Sequence, residues 1–209
     1  MLGREVKKQL TKVFGEARAQ VLKCLSRCVL LEGSNAAAES GGFSVELSVE
    51  TLRQVLKQQQ HDVSLAALNL CHTLCMKRGA ASIAALLDVL ARVFNRHPHR
   101  ECRAAYQRLL FLAHRDLTPD LTPESKADPK ADGSVGDVLR AALLQGLSDS
   151  DETLRRAMVA YWHEEVLPTK ISDRLIACFA DLYARSTEDR WIRLHAFTSG
   201  WLYGGRQAG

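Results

Sequence analysis

Apolar residues recur three and four positions apart along most of the chain, a spacing that places them on one face of an α-helix. Three of the clearest stripes run from Val6 to Cys28, from Val63 to Leu74 and from Ile83 to Phe94. Proline is scarce while alanine and leucine are abundant, a composition that favours helices over strands. The pattern predicts an all-α protein of roughly nine helices.

The helices recur at a regular distance along the chain. Two helices and their connection occupy about 40 residues, which is the period of HEAT and armadillo units. Because no strict sequence repeat is visible, the expectation is an α-solenoid segment of irregular HEAT/armadillo-like repeats. A compact helical bundle is the alternative, since periodicity alone does not fix how helix pairs stack.

Two interruptions divide the helical pattern. Residues 32–47 are rich in Gly, Ser and Ala, which predicts a loop. Residues 116–134 contain three prolines and more acidic residues than lysines, which predicts a disordered acidic linker. The predicted organisation is a helical-repeat segment over 1–115, the linker over 116–134, and a second helical-repeat segment over 135–209.

Serines mark the predicted start of three helices in the second half of the chain. Ser134, Ser148 and Ser186 each stand three residues before an aspartate. This is the spacing of a capping box, in which two side chains satisfy backbone amides at the start of a helix. Each serine is therefore predicted to begin a helix.

Trp162 and Pro168 indicate how two of these helices pack. Trp162 lies on the stripe of Leu154 and Met158, so it is predicted to be buried between paired helices. Pro168 cannot continue a helix, and it disfavours the helical conformation at Leu167. The chain is therefore predicted to turn at Pro168 and to pack the next helix back against this one.

The composition indicates an intracellular protein. The charged N-terminus has no apolar run of the kind found in a secretory signal, and no apolar stretch is long enough to span a membrane. The six cysteines fall on apolar stripes, where they are expected to be buried thiols in a reducing compartment. A net charge of +4 allows an acidic or nucleic-acid partner but does not require one.

His114-Arg115-Asp116-Leu117 has the letters that open the catalytic loop of a protein kinase. In that loop an asparagine five residues after the aspartate holds magnesium, and Leu121 stands there instead. A glycine-rich loop, a strand lysine and an Asp-Phe-Gly element are also missing from the sequence. We therefore expect no catalytic residue and no cofactor in this chain.

Two groups of cysteines suggest metal binding at first sight. Cys71-His72 with Cys75, and Cys24 with Cys28, place potential ligands one helical turn apart. Structural zinc sites have four ligands, usually supplied by Cys-x-x-Cys turns. Since both groups lie on apolar stripes, packing in the core is favoured and no metal is expected.

Basic residues in two regions are candidates for contact with phosphate groups. One group lies in the first helix, and the other surrounds His97-Pro98-His99. These candidates are Lys7, Lys8, Lys12, Arg96, Arg100 and Arg103. Long cationic side chains are also the ordinary solvated face of an amphipathic helix, and that interpretation stays open beside the first.

The stretch 135–183 carries a family resemblance. Its elements are Gln145-Gly146-Leu147-Ser148-Asp149, Trp162-His163-Glu164, Leu167-Pro168 and Asp173-Arg174-Leu175. In combination they resemble the catalytic subunits of DNA-dependent protein kinases, members of the phosphatidylinositol-3-kinase-related family. The similar part is the helical-repeat cradle upstream of the kinase domain, and Cys102-Arg103 with Tyr106 resembles the preceding helix.

The resemblance implies a fragment of a non-catalytic scaffold within a nuclear serine/threonine kinase. It implies a role in double-strand break repair by non-homologous end joining, with the Ku heterodimer and other end-joining factors as partners. It also implies structural roles for Trp162, Leu167, Pro168 and Arg174. The family's regulatory Ser/Thr-Gln sites cannot be carried over, because no Ser or Thr precedes a Gln here.

Two other functions remain open at this point. One is a free-standing HEAT-type adaptor for protein interactions, unrelated to repair. The other is a module that binds nucleic acid weakly and without sequence preference through the basic residues.

Overall fold

The computed structural model describes residues 14–32, 48–58, 60–117, 135–166, 170 and 172–173. The chain divides into two compact units, Met1–Val138 and Leu139–Gly209. The described residues form helices and contain no strand, which confirms the all-α prediction. In order, the helices are α1 Gly15–Leu31, α2 Val49–Leu56, α3 His61–Arg78, a 3-10 helix Ala80–Leu86, α4 Leu87–Phe94, α5 Arg100–Leu117, α6 Val135–Gly146, α7 Glu152–Tyr161, and a π-helical turn Trp162–Val166.

Helix α3 is the centre of the first unit. It packs against α1, α2, α5 and the 3-10 helix, and most of its circumference is buried. A helix surrounded in this way needs apolar residues on several faces rather than along one stripe. Its buried positions are Val63, Ser64, Ala66, Ala67, Leu68, Leu70, Cys71, Thr73, Leu74 and Cys75.

Helices α1 and α3 run parallel. The hydroxyl groups of Ser26 and Thr73 lie 3.3 Å apart in the middle of the two helices. At their C-terminal ends, the Arg78 guanidinium donates to the Glu32 carboxylate at 2.6 Å. Since the contacts follow the same order along both helices, the chain must return between them, and it does so through α2.

Helices α3 and α5 are also parallel. The His61 and His99 rings stack at their N-terminal ends with centroids 4.6 Å apart. At the other end, the backbone amide of Ala80, just after α3, donates to the Asp116 carboxylate at 2.5 Å. The 3-10 helix and α4 provide the return between them.

The first unit therefore has two layers. Helices α1, α3 and α5 form one layer, and the return segments α2 and α4 contact each other in the second. Stacked helix pairs, with equivalent helices parallel, are the arrangement of HEAT and armadillo repeats. The helical-repeat prediction is confirmed.

The stripe from Ile83 to Phe94 is expected to form one helix, but its first part is a 3-10 helix of 7 residues. Its buried side chains are Ala80, Ile83 and Leu86, which stand three positions apart. This is the periodicity of a 3-10 helix, in which residues i and i+3 align. Over so few residues the spacing also fits an α-helix, which is why the sequence does not distinguish them.

In the second unit, helices α6 and α7 meet closely. A Cβ atom added to Gly146 would overlap with Cε of Met158, so α6 needs a glycine where this methionine packs. Asp151 is the N-cap of α7, because its carboxylate accepts from the Leu154 amide at 3.0 Å. The expectation that Ser148 begins this helix is wrong. Its hydroxyl donates to the Gln145 carbonyl at the end of α6.

Several predictions lie wholly or partly outside the described residues. Helix α5 includes Asp116 and Leu117, the first two residues of the expected linker, and 118–134 are not described. The helices predicted after Pro168, and the turn at Pro168 itself, also lie outside. The three-part division of the chain stays a prediction. No helix in the described ranges is long and apolar enough to cross a membrane.

Candidate functional site

The kinase-like tetrapeptide forms the last turn of α5. Within it, Asp116 accepts a hydrogen bond from the backbone amide of Ala80, the first residue of the 3-10 helix. The same carboxylate would lie 3.1 Å from a Cβ at Gly79, which has a φ of 79°. Asp116 therefore stabilises the sharp junction between α3 and the 3-10 helix, because its carboxylate accepts from an amide at the start of that helix.

The turn between α4 and α5 contains several hydrogen-bonded polar side chains. His97 is buried there with 2% of its surface exposed. Its ring stacks on Phe94 at 5.3 Å, and its Nδ1 accepts from the His99 backbone amide at 3.3 Å. The turn follows from Pro98, since proline lacks an amide donor and is tolerated just before the first turn of a helix.

The three described candidates for phosphate contact all lie at this turn. Arg96 and Arg100 are exposed, as is the His99 ring between them. Arg103 is half-buried, and its guanidinium donates to the His97 carbonyl at 2.8 Å and to the Pro98 carbonyl at 3.3 Å. Arg103 thus also fixes the turn, while the other candidates, Lys7, Lys8 and Lys12, lie outside the described residues.

The electrostatics of the turn disfavour a charged imidazole. Burial lowers the pKa of His97, and the neighbouring His99, His61 and Arg103 lower it further. Further along α3, burial and the charge of Arg108 lower the pKa of His72. Both histidines are therefore held in their neutral form near neutral pH.

The cysteines of α3 and α5 are buried thiols, as expected from the sequence. Burial, and then the neighbouring Cys75, raise the pKa of Cys71 to about 12. Burial and Asp116 raise the pKa of Cys75 to about 11, and burial with Glu101 and Asp62 does the same for Cys102. A thiol held in its protonated form is a poor nucleophile and a poor metal ligand.

The expectation of buried cysteines is wrong for α1. Cys24 is exposed and Cys28 is only partly buried. The buried stripe of α1 is formed by Arg18, Ala19, Leu22, Leu25 and Val29, which leaves the two cysteines off its centre. Among the residues that the structure describes, no group of three or more His, Cys, Asp or Glu side chains is placed to hold a metal.

Trp162 lies in the second unit, where the chain leaves α7. It is buried with 4% of its surface exposed, and the Arg140 guanidinium of α6 lies 5.9 Å from the ring centroid. This distance is within the range of a cation–π interaction. Trp162 also begins the π-helical turn, which is a local departure from regular α-helix. Leu167, Pro168 and Arg174 lie outside the described residues.

Sequence reasoning missed residues whose partners are far away along the chain. His61 joins the α4–α5 turn from the start of α3, and Arg53 of α2 donates to the Ala85 carbonyl at 2.7 Å. Arg18 is buried in α1 and hydrogen-bonds the Gln58 amide oxygen. No local pattern marks these residues, because each contact depends on how the helices stack.

The family comparison covers both units. The model of the family described as DNA-PKcs, CC5 matches residues 4–197, which include the α4–α5 turn and the whole of α6 and α7. No curated protein matches the chain. The matched region is a helical, non-kinase part of that protein, in agreement with the resemblance and the fold. The chain therefore belongs to the DNA-PKcs, CC5 family.

Proposed function

We propose that this segment is a non-catalytic helical scaffold that acts in nuclear repair of DNA double-strand breaks by non-homologous end joining. The observation that carries the proposal is the two-layer stack of the first unit within a chain matched from residue 4 to 197 by the DNA-PKcs, CC5 family. Stacked repeats present long surfaces to partners while each repeat contacts only its neighbours. The partners proposed are the Ku heterodimer and other end-joining factors.

The contacts between helices suit a scaffold that holds its surfaces in fixed positions. The parallel layer is joined by charged and polar side chains, as in the pair of Arg78 and Glu32, in addition to its apolar core. The second layer is joined to the 3-10 helix through Arg53. Contacts of both kinds restrict sliding of one helix on another, which a scaffold needs in order to transmit force or position.

A binding experiment with the purified chain tests the proposal. The immobilised chain is expected to retain purified Ku heterodimer in the presence of blunt duplex DNA. The matched control is an immobilised helical protein of similar length and net charge from outside this family, because a packing variant of the second unit would leave the first unit able to bind. Retention of Ku that is no greater for the wild-type chain than for this control would contradict the proposal.

The length of the reading frame in the gene distinguishes the scaffold proposal from the alternative of a free-standing adaptor. A reading frame that continues well beyond this segment into a kinase domain supports the scaffold proposal. A frame that ends near residue 209, with a chain that is stable and abundant alone, favours the adaptor.

A second function is favoured by the exposed cations of the α4–α5 turn. Arg96 and Arg100 are exposed beside the His99 ring, and arginine suits phosphate groups because its guanidinium donates two parallel hydrogen bonds. We infer weak, sequence-independent contact with duplex DNA through these residues. Such binding weakens steeply with rising salt, because binding releases the cations that were condensed on the DNA. The logarithm of the binding constant falls with the logarithm of the salt concentration with a slope of about −0.9 for each phosphate neutralised.

This inference is tested with the Arg96→Gln/Arg100→Gln chain. The double substitution should reduce the salt slope of DNA binding by about 0.9 for each phosphate that is no longer neutralised. Arg156→Gln/Lys170→Gln is the control, because it also removes two exposed cations but from the second unit, where Arg156 pairs with Glu152 at 2.5 Å. An equal weakening of DNA binding in both variants would show that only net charge matters.

A further inference from the structure

Three imidazole rings meet where α3 and α5 begin. His61 is the first residue of α3, whereas His97 and His99 belong to the turn before α5. The His61 and His99 rings are nearly parallel in their stacking, with an interplanar angle of 12°, and the centroids of His97 and His99 are 5.6 Å apart. The Cys102 thiol also lies 3.9 Å from the His61 carbonyl oxygen. These contacts hold the first turns of the two parallel helices together.

The hydrogen bonding of His97 requires its neutral form. Its Nδ1 accepts from the backbone amide of His99, so the single proton of the neutral ring is on Nε2. A second proton would have to bind Nδ1, where it would face the amide hydrogen of His99. Protonation therefore replaces an attractive contact by two opposed donors, and it removes the bond that orients the turn.

The cluster has little capacity to accept additional protons. Within the described ranges, Nδ1 of His61, Nε2 of His97 and the Tyr106 hydroxyl are buried and have no hydrogen-bond partner in the structure. A buried polar group without a partner is already costly, and a charged one costs more. Among the described residues, no buried carboxylate compensates at this position.

The groups that act on His97 through their charge all lower its pKa. The groups that act on His97 are His99 from its own turn, His61 from α3 and Arg103 from α5, and α4 contributes the uncharged Phe94. The carboxylates of Asp62 and Glu101 are exposed, and they act on the Cys102 thiol. Arg96 and Arg100 add two more exposed cations at the turn.

We propose that His61, His97 and His99 form an acid-sensitive latch, which joins the first turns of α3 and α5 while His97 is neutral and opens when His97 is protonated. Opening would separate the stacked His61 and His99 rings and release the turn of residues 95–99. The proposal goes beyond the scaffold function and does not depend on the identity of a partner.

The direction of the pH dependence follows from the pKa of His97. Burial and its cationic neighbours lower this pKa below the ordinary value of 6.5, so the open form binds protons more tightly than the closed form. The closed latch is therefore fully stable above about pH 6.5, and its stability falls as the pH decreases below that value. For each unit by which the pKa of His97 is lowered, the equilibrium constant for opening increases about tenfold once His97 is protonated in both forms.

Nuclear magnetic resonance of the full chain gives the first test. The imidazole of His97 should titrate with a pKa below 6.5, and the latch should open as His97 becomes protonated. Amide hydrogen exchange of residues 95–103, corrected for the intrinsic effect of pH, should accelerate between about pH 7.5 and pH 5.5 relative to the rest of the first unit. A His97 pKa at or above its ordinary value, or exchange that does not change selectively, would overturn the proposal.

Substitutions give the second test. His99→Gln removes one ring but keeps the backbone amide that donates to His97, so the pKa of His97 should rise and the acid-induced exchange should weaken. His163→Gln removes a histidine of the second unit and should leave the response of 95–103 unchanged. An unaltered acid response in His99→Gln would overturn the latch. If that variant does not fold, the titration of wild-type His97 decides.

Discussion

The ends of the 3-10 helix in the first unit and the start of α7 in the second unit are stabilised differently. In the first unit, Asp116 accepts from the amide of Ala80, 36 positions away, and Arg53 donates to the carbonyl of Ala85, 32 positions away. In the second unit, Asp151 accepts from the amide three residues later, and Arg155 donates to the Asp149 carbonyl six residues earlier. The first set of bonds depends on stacking, while the second set can form within one turn of chain.

This difference has consequences for cooperativity. A contact between distant residues contributes only after the intervening chain has been ordered, so its removal weakens the packing of several helices together. A local cap contributes to one helix whether or not others have packed. We therefore expect the 3-10 helix to unfold together with α3 and α5, and the start of α7 to respond mainly to local changes.

The largest loss of stability is expected at Trp162, which is buried in the described part of the second unit. Trp162→Ala removes a large buried side chain and should lower the free energy of unfolding by about 3–5 kcal/mol, a large part of the stability of a domain. Urea unfolding followed by circular dichroism measures this change. His163→Ala, next to it and only partly buried, should have little effect, and equal destabilisation in the two variants would show that Trp162 is not part of the core.

The next largest effect is expected at Asp116. Ala80 is fully buried, so Asp116→Ala leaves its amide without a charged acceptor, at a cost of about 1.5–3 kcal/mol in the free energy of unfolding. Hydrogen exchange should increase at the ends of both α3 and α5 as well as in the 3-10 helix. If faster exchange is confined to Ala80–Leu86, the contact is not coupled to the stacking of the layer.

A smaller effect is expected at the local cap. Asp151→Ala removes the acceptor for the Leu154 amide and should cost about 1 kcal/mol. Because the bond is local, faster hydrogen exchange should be confined to the first turn of α7. Asp151→Asn, which keeps an oxygen acceptor, should recover most of the stability in urea unfolding. Failure of the asparagine to do so would indicate that the charge, and not the hydrogen bond, is what matters.

The smallest effect is expected at Arg53. Its guanidinium donates to the Ala85 carbonyl and lies 4.0 Å from the Asp88 carboxylate, and both of these residues are exposed. Arg53→Met keeps the apolar stem and should cost only about 0.5–1 kcal/mol in urea unfolding, since exposed ion pairs contribute little. A cost equal to that of Asp116→Ala would mean that both ends of the 3-10 helix are equally important.

The sequence predicted the features that depend on local pattern. Most of the helical stripes, the burial of Trp162 and the importance of Asp151 at the start of α7 follow from spacing along the chain. However, Phe14 in the stripe from Val6 to Cys28 is extended and exposed, and Asp151 is the N-cap of α7 instead of the third residue of the helix. The role of Asp116 does not follow, because the tetrapeptide around it suggests only a kinase loop. Its actual partner, Ala80, can be identified only after the order of the helices in the layer is known.

The same reason explains what the sequence does not show at the α4–α5 turn. In the sequence, His97 and His99 are recognisable only as members of a basic group. In the structure His97 is buried and His99 is exposed, and His61 joins them from another helix. The position of Cys24 escapes prediction for a simpler reason. If the buried stripe is assigned one position away from its true place, every side chain is predicted to point about 100° from its true direction. This error is large enough to place an exposed cysteine in the predicted core.

The length of the segment Ala80–Leu86 depends on its helical form. Each residue of a 3-10 helix advances about 2.0 Å along the axis, compared with about 1.5 Å in an α-helix. Conversion of Ala80–Leu86 to an α-helix would therefore shorten the segment by about 3.5 Å. Tension along the segment favours the longer form and compression favours the shorter one. A change from one form to the other would therefore alter the distance between the end of α3 and the start of α4 by about 3.5 Å.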